Sequence, residues 1–308
     1  MKDKHKSTIG GQAVIEGVMM KGPDKVSMSV RLHDGMIDNE CWDYKGKRYA
    51  KLPIIRGIVN FFSMMVLGIK CITKSAEKVE YVDQGLEDTG KDIKAQKLLD
   101  SGLGKVIMTA FMIIGVVASI FLFMYLPAFF AKLVGNVIEY SSMFRSLLEG
   151  IIKIILFISY ICLTSLMKDI ETLYRYHGAE HKAIACYEDG EDLTIKNVKK
   201  YSRLHPRCGT SFILIVLVIS ILVFSAISWD SVIVRTITKL TLMPIVVGIA
   251  YEVIKLTARY DNCLTKIFVA PGLWLQKITT KEPTDEQIEV AINALIPVIP
   301  ENKNDDSW

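Results

Sequence analysis

Three of the five histidines in this chain fall within a 29-residue stretch: His177, His181 and His205. The first two belong to the run Tyr176-His177-Gly178-Ala179-Glu180-His181-Lys182, and the third to His205-Pro206-Arg207-Cys208-Gly209. On a helix, positions i and i+4 share a face. His177 and His181 can therefore reach one metal ion, with Glu180 projecting about 60° to one side, where it could hold a water. This is the residue order of the inverted zinc-peptidase motif. Imidazole nitrogen and thiolate sulfur both suit Zn²⁺ or a similar divalent cation, so His205 or Cys208 could supply a third ligand. A histidine before proline is pushed to an extended conformation, which fits a loop folding back over a helix. Ile170, Leu173, Tyr174 and Ile184 lie on the same helical face. A buried structural role for both histidines, with Glu180 paired to Lys182, Arg203 or Arg207, is therefore open beside metal binding. Cys186 falls on the opposite face and is not a candidate ligand.

The elements that must position these groups are apolar. The chain has 308 residues, of which 51% are hydrophobic and 23% charged, and its mean hydropathy is +0.31. That composition excludes a disordered chain, a collagen-like fibre and a small disulfide scaffold. A net charge of +4 is too small to point to nucleic acid. Four runs are candidate membrane spans: Val106 to Ala131, Ile154 to Met167 (extended by Ile151, Ile152 and a snorkelling Lys153), Ser211 to Trp229, and Leu240 to Ile254. Each approaches the roughly 20 residues that a bilayer core requires. Residues 1–105, 168–210 and 255–308 hold 32 of the 37 Lys and Arg, and the alternate loops hold only Lys132, Arg145, Lys153, Arg235 and Lys239. By the positive-inside rule, both termini and the histidine loop are then cytosolic. The lysine-rich start has no apolar run behind it, unlike a signal peptide. All six cysteines fall in cytosolic or membrane segments, where disulfides are not expected.

The expected fold is mainly α: a multi-pass membrane protein with about four transmembrane helices, a small N-terminal β-rich element and a cytosolic helical loop. Residues 1–52 form the β-rich element. Val26, Met28, Val30 and Leu32 alternate with polar residues as in a half-buried strand, Asp34-Gly35 marks a hairpin, and Met36 to Tyr44 returns. The glycines before it serve turns, and Glu16 in that apolar run needs a partner. Residues 53–104 hold an interfacial or re-entrant segment (Ile54 to Ile72) and a polar linker. Residues 105–167 carry the first two spans, 168–210 the HxxEH loop, and 211–256 the last two spans. Residues 257–308 are cytosolic or interfacial. There, Leu264 to Leu275 is a second short apolar stretch, Thr284 and Gln287 form a capping box, and Ile288, Val290, Ala291, Ala294 and Leu295 line a helix. The tail ENKNDDSW is expected to fray. Glu252, inside the fourth run, is an ionisable group at membrane depth. Lys255 or Arg259 one turn on are its expected partners, with Arg56 as another.

The segments GGQAVIEGVMMKGP, RYHGAEHKAIACYEDGEDLTIKNVKKYSRLHPRCGTSF and PGLWLQKITTKEPTDEQIEVAINAL resemble the YqhQ-like family, domain of unknown function 1385, over about residues 8–296. The resemblance implies a multi-pass bacterial inner-membrane protein, often described as a metal-dependent enzyme. His177, Glu180, His181, His205 and Cys208 all match the family pattern. Two functional readings follow. In one, the chain is a metal-dependent hydrolase with Zn²⁺ at His177, His181 and Cys208 or His205, and Glu180 as general base. In the other, it is a non-catalytic scaffold or accessory of membrane-protein biogenesis, with the cluster structural. Membrane lipid is the expected partner in both, and a homo-oligomer or a protein partner is open. A transporter has only Glu252 in its favour.

Overall fold

The structure is a computed structural model that describes residues 5–44, 52–83, 102–135, 141–225, 232–260, 262–302 and 305–306. Most of the polar linker expected over 80–104 falls on 84–101, and the end of the third apolar run, with Trp229, falls on 226–231. Both lie outside the described residues.

The N-terminal element is a four-stranded antiparallel meander: β1 (Gly10–Val14), β2 (Gly17–Lys21), β3 (Lys25–Arg31) and β4 (Ile37–Asp43), in that order. The hairpin of β3 and β4 turns at Asp34-Gly35, where Gly35 has φ +85 and the Asp34 carboxylate accepts from the Met36 amide. The glycine-punctuated run does more than turn. Gly11 to Val14 pairs with Met20 to Gly17, and the two-residue loop Ile15-Glu16 closes the hairpin. Glu16 there holds φ +48, and its carboxylate accepts from the Tyr176 hydroxyl at 3.1 Å.

Strand β3 is covered on both faces. Helix α1 (Ile55–Asp83) packs Leu67 and Cys71 on Val14, Met19, Val26, Met28 and Val30. Helices α5 (Lys168–Asp189) and α10 (Asp285–Leu295) cover the other face, where Val18 and Met20 meet Ala179, Ala183, Ile288, Ala291 and Leu295. The polar Ser27 and Ser29 are therefore buried too, and the Asn39 amide donates to both. The capping box of Thr284 and Gln287 starts α10 as its residue types require.

The apolar helices follow. A continuous stretch runs through α2 (Gly102–Ile120), a π-helical turn (Phe121–Tyr125) and α3 (Leu126–Gly135). Then come α4 (Ser142–Thr164), α7 (Gly209–Ser225), α8 (Val232–Arg259) and α9 (Cys263–Thr279), with the short α6 (Ile195–Val198) between α5 and α7. Among the described residues, four segments are long and apolar enough to cross a membrane: Ile55–Val79, Thr109–Gly135, Met143–Thr164 and Ile237–Thr257. The described part of α7, Gly209–Ser225, is shorter.

Helix α1 divides between two neighbours. Its first turns pack on α8, where Gly57 faces Tyr251 and Gly248 faces Ile54 so closely that neither could carry a Cβ without displacement. Its second half is held to the sheet by ion pairs of Lys74 with Glu40 and of Lys78 with Asp38 and Glu40. Length and composition thus overstate the part of α1 available to lipid. Glu252 finds its partner here: both its oxygens take hydrogen bonds from Arg56, and Oε1 also accepts from the Ile54 amide. The salt bridge is to the distant Arg56, the other partner expected of Glu252.

The C-terminal tail is tied down at Asp306, which is fully buried. Its carboxylate accepts from Ser7 Oγ at 2.6 Å and from Tyr187 OH at 3.0 Å, and pairs with His5 Nε2 at 2.7 Å. A buried carboxylate demands partners, and the N-terminal segment supplies them. The expected fraying does not occur at that residue.

Candidate metal centre

Helix α5 brings His177 and His181 to one face, as their spacing requires, with ring centroids 4.4 Å apart. The helix starts after Met167, with Asp169 and Glu171 in its first turn, and stops at Gly190 in the left-handed conformation. The loop from Ser202 to Cys208 folds back over it and delivers Cys208 at the start of α7. The result is a group of three donors, His177, His181 and Cys208, whose ligand atoms all lie within 4.8 Å of one another. His177 Nε2 stands 3.1 Å from Cys208 Sγ. Ligand bonds of about 2.0–2.3 Å in a tetrahedron put neighbouring donors about 3.3–3.6 Å apart, so small shifts would close the group on an ion.

The outer ring nitrogens fix the tautomer. His177 Nδ1 is 2.9 Å from the carbonyl of Thr279, and His181 Nδ1 is 2.6 Å from the carbonyl of Arg203. A carbonyl only accepts, so each Nδ1 carries the proton. In the neutral rings both Nε2 lone pairs are then left for the shared point. Backbone carbonyls commonly orient metal-binding imidazoles in this way. Glu180 completes the inner wall, with Oε2 3.9 Å from His177 Nε2 and 3.8 Å from His181 Nε2. It is nearly equidistant from the two rings and slightly beyond ligand-to-ligand spacing.

Electrostatics reinforce the pairing of His177 and Cys208. Burial alone would hold the imidazole neutral, yet the adjacent Cys208 and Glu180 push His177 up to about 9. Burial likewise opposes a thiolate, but His177 and His181 hold the Cys208 thiol well below its ordinary 9.0. Each group therefore favours the charged form of the other across their 3.1 Å contact. Cys186 has no such neighbours. Its thiol is pushed up to about 11 by burial and by the charges of Glu191 and Asp189.

His205 is placed differently. Its Nε2 faces Glu188 Oε2 at 3.6 Å and Arg207 Nη2 at 3.5 Å, and burial holds its pKa below the ordinary value. It stacks beside His181 at 5.6 Å but lies outside the group of three donors. Glu188 pairs with Arg207, which also donates to the Ser7 carbonyl. That ion pair engages the His205 ring.

Several positioning residues carry no motif. Gln276 on α9 is fully buried, accepts from the His205 amide at 2.8 Å, and donates to the His205 carbonyl at 2.8 Å and to Ser211 Oγ at 2.9 Å. It pins the Cys208 loop to α9. Lys182 is buried, donating to the Lys199 carbonyl and pairing with Glu282. Gly11 of β1 lies under Glu180: a Cβ there would stand 2.8 Å from Glu180 Cγ and 2.7 Å from the Met19 carbonyl. Gly178, between the two histidines, lets the chain at Lys281 approach the helix. Sequence spacing exposes none of these, because each contact joins segments far apart in the chain.

The family described as "Protein of unknown function (DUF1385)" matches residues 52–301. The chain is 36% identical over 301 residues to the uncharacterized protein YqhQ of Bacillus subtilis (strain 168), which covers 94% of this chain and 92% of that protein. No solved structure matches it.

Proposed function

The chain belongs to the DUF1385 family, and from that premise and the donor geometry we propose that it is a bacterial inner-membrane protein holding a divalent metal, Zn²⁺ foremost, at His177, His181 and Cys208. We read it as a metal-dependent hydrolase. The observation that carries the reading is the use of both Nδ1 atoms on backbone carbonyls, which leaves two Nε2 lone pairs and a thiolate on one point. Two nitrogens and one sulfur form a zinc-type donor set with one position to spare. A cation held there supplies Lewis acidity and lowers the pKa of water towards about 7.

The chain's own residues then divide the work. His177 and His181 present Nε2, oriented by Thr279 and Arg203. Cys208 contributes negative charge from the mouth of α7. Glu180 is the general base, accepting a proton from a water placed between it and the two rings, and handing it to the leaving group. Sheet and helix pack around it and exclude bulk solvent. The centre lies where the cytosolic loop enters α7, so the scissile bond belongs to a molecule presented at the membrane surface. The Thr8 amide donates to the Asp306 carbonyl, which supports reading the two terminal segments as lying on one side, the side that the charge bias makes cytosolic.

A second reading draws on the burial of Glu180 and His181, whose side chains keep 6% and 2% of their exposure. With Glu180 as fourth ligand the centre would be closed and structural, staking the sheet to the membrane helices of a scaffold or biogenesis accessory. Glu180→Gln separates the two. Unchanged metal content with loss of hydrolysis of membrane peptides or lipid esters supports the hydrolase. Loss of metal together with loss of folded protein supports the structural centre.

A further inference from the structure

The sheet has two edges, and they are built differently. Its strand order is β1-β2-β3-β4, so among the described residues β1 and β4 each have a neighbouring strand on one side only. An unpaired edge offers its backbone to any other extended chain, and proteins commonly blunt it with charge. Strand β4 is blunted in this way: Asp38, Glu40 and Asp43 fall on it, and Lys74 and Lys78 of α1 pair with the first two. Strand β1, GGQAV, carries no charge. Its flanks are tied, the Thr8 amide to the Asp306 carbonyl and the Ile15 amide to Ser75 Oγ at 3.1 Å. Between them, no hydrogen bond to another described residue crosses the outer edge of Gly10–Val14. Ala13 and Val14 are nonetheless buried, where backbone N–H and C=O groups require partners.

That edge runs beside the metal centre. Helix α5 lies along β1 in the opposite direction: Tyr176 meets Glu16 beyond the end of the strand, Glu180 meets Gly11 within it, and Glu188 accepts from the Ser7 amide before it. Helix α1 follows the other face, with Gly68 against the Gln12 side chain and Ser75 at Ile15. We propose that the outer edge of β1 is the substrate-binding edge of the metal centre, and that the substrate is an extended peptide segment added to the sheet as a further strand. This deepens the hydrolase reading and rests on it. Main-chain hydrogen bonds give such pairing its affinity, and an acyl chain has none to offer. An added strand lies about 4.8 Å from β1. A Cβ on Gly11 would stand 2.8 Å from Glu180 Cγ, so a chain one strand spacing away passes within a side chain's length of the proposed general base. The open edge is five residues long, about 17 Å of extended chain, and a pentapeptide matches it.

The test uses the zinc-loaded full chain in detergent and three hydroxamates, whose common head group binds the metal: a pentapeptide of alternating valine and alanine, an octanoyl chain, and acetohydroxamate. Calorimetric titration should find the pentapeptide bound about tenfold or more tighter than either of the others. Only every second N–H of an extended chain faces its neighbour. N-methylation of one alternate set of peptide residues should therefore cost about tenfold, and of the other set little. The pentapeptide should also slow hydrogen exchange of the backbone amides in Gly10–Val14. Octanoyl hydroxamate that binds as tightly as the pentapeptide assigns the site to acyl chains and overturns the proposal, as does an equal effect of both N-methyl sets. Acetohydroxamate that binds while the peptide adds nothing overturns the edge and leaves the metal centre standing. Failure of all three to bind removes the hydrolase reading and this proposal with it.

Discussion

Gly178 sits between His177 and His181, and replacing it by alanine has an effect whose sign depends on the tertiary structure. In an isolated helix, Gly→Ala at an interior position is stabilising by about 1 kcal/mol. Here a Cβ would meet the Lys281 carbonyl oxygen at 2.2 Å, with Pro283 Cδ at 3.5 Å behind it. Ordinary carbon-to-oxygen contacts are about 3.3 Å or longer, so the segment at 279–281 must retreat by about 1 Å. Two bonds depend on its position: the Lys281 amide to the Tyr174 carbonyl at 2.9 Å, and His177 Nδ1 to the Thr279 carbonyl at 2.9 Å. Overpacking costs about 1–3 kcal/mol and each weakened bond about 1 kcal/mol. After the helix gain is subtracted, Gly178→Ala is destabilising by about 2–4 kcal/mol. Loss of the outer support of His177 should also cost about 10–100-fold in metal affinity. Urea unfolding in detergent reads the first number, and zinc competition against a chromogenic chelator reads the second. A variant as stable as the parent, or more so, with unchanged zinc affinity would refute the reasoning.

Three other outcomes follow from the same contacts. Asp306→Ala removes a buried carboxylate with three partners and should lower stability by about 3 kcal/mol in thermal or urea unfolding, whereas a frayed tail would give no change. Glu188 is held below its ordinary 4.5 because hydrogen bonding from His205 and the charge of Arg207 outweigh its burial. A depressed carboxyl contributes stability that is complete above the unfolded value and lost as pH falls through the folded value. Arg207→Gln should therefore move the acid loss to higher pH, and unfolding midpoints with superimposable pH profiles would contradict this. Alkylation mapped by mass spectrometry should find that zinc protects Cys208 but leaves the exposed Cys41 reactive. Equal protection of both, or of neither, would argue against Cys208 as a ligand.

The convergence of His177 and His181 was legible because it is local: four residues on a helix put two side chains on one face whatever surrounds them. Cys208 was legible only as one of two options. His205 is equally close in sequence, and Glu188 decides between them by engaging its ring, a contact the spacing does not reveal. The strand Lys25–Arg31 followed from its alternation, but Ser27 and Ser29 were expected to face solvent. Covering both faces of the sheet with helices from distant parts of the chain makes them buried. For the same reason Gly10–Val14 and Gly17–Lys21 lack a polar–apolar rhythm, and within the β-rich element only their glycines carry a reading, as turn residues. Charge breaks a hydropathy run, so the apolar run from Ile151 or Ile154 to Met167 leaves Glu149 outside it. In the structure the helix starts at Ser142 and includes the carboxylate, its charge answered from α8.

Metal binding by the three donors is decided by the zinc content of detergent-purified protein, measured by mass spectrometry of the elements, for the parent chain and for His177→Ala, His181→Ala and Cys208→Ser. About one zinc per chain is expected in the parent, with its loss in each variant, while His205→Ala retains the metal. A parent that remains metal-free after purification and zinc replenishment, or single variants that keep a full complement of zinc, would contradict it.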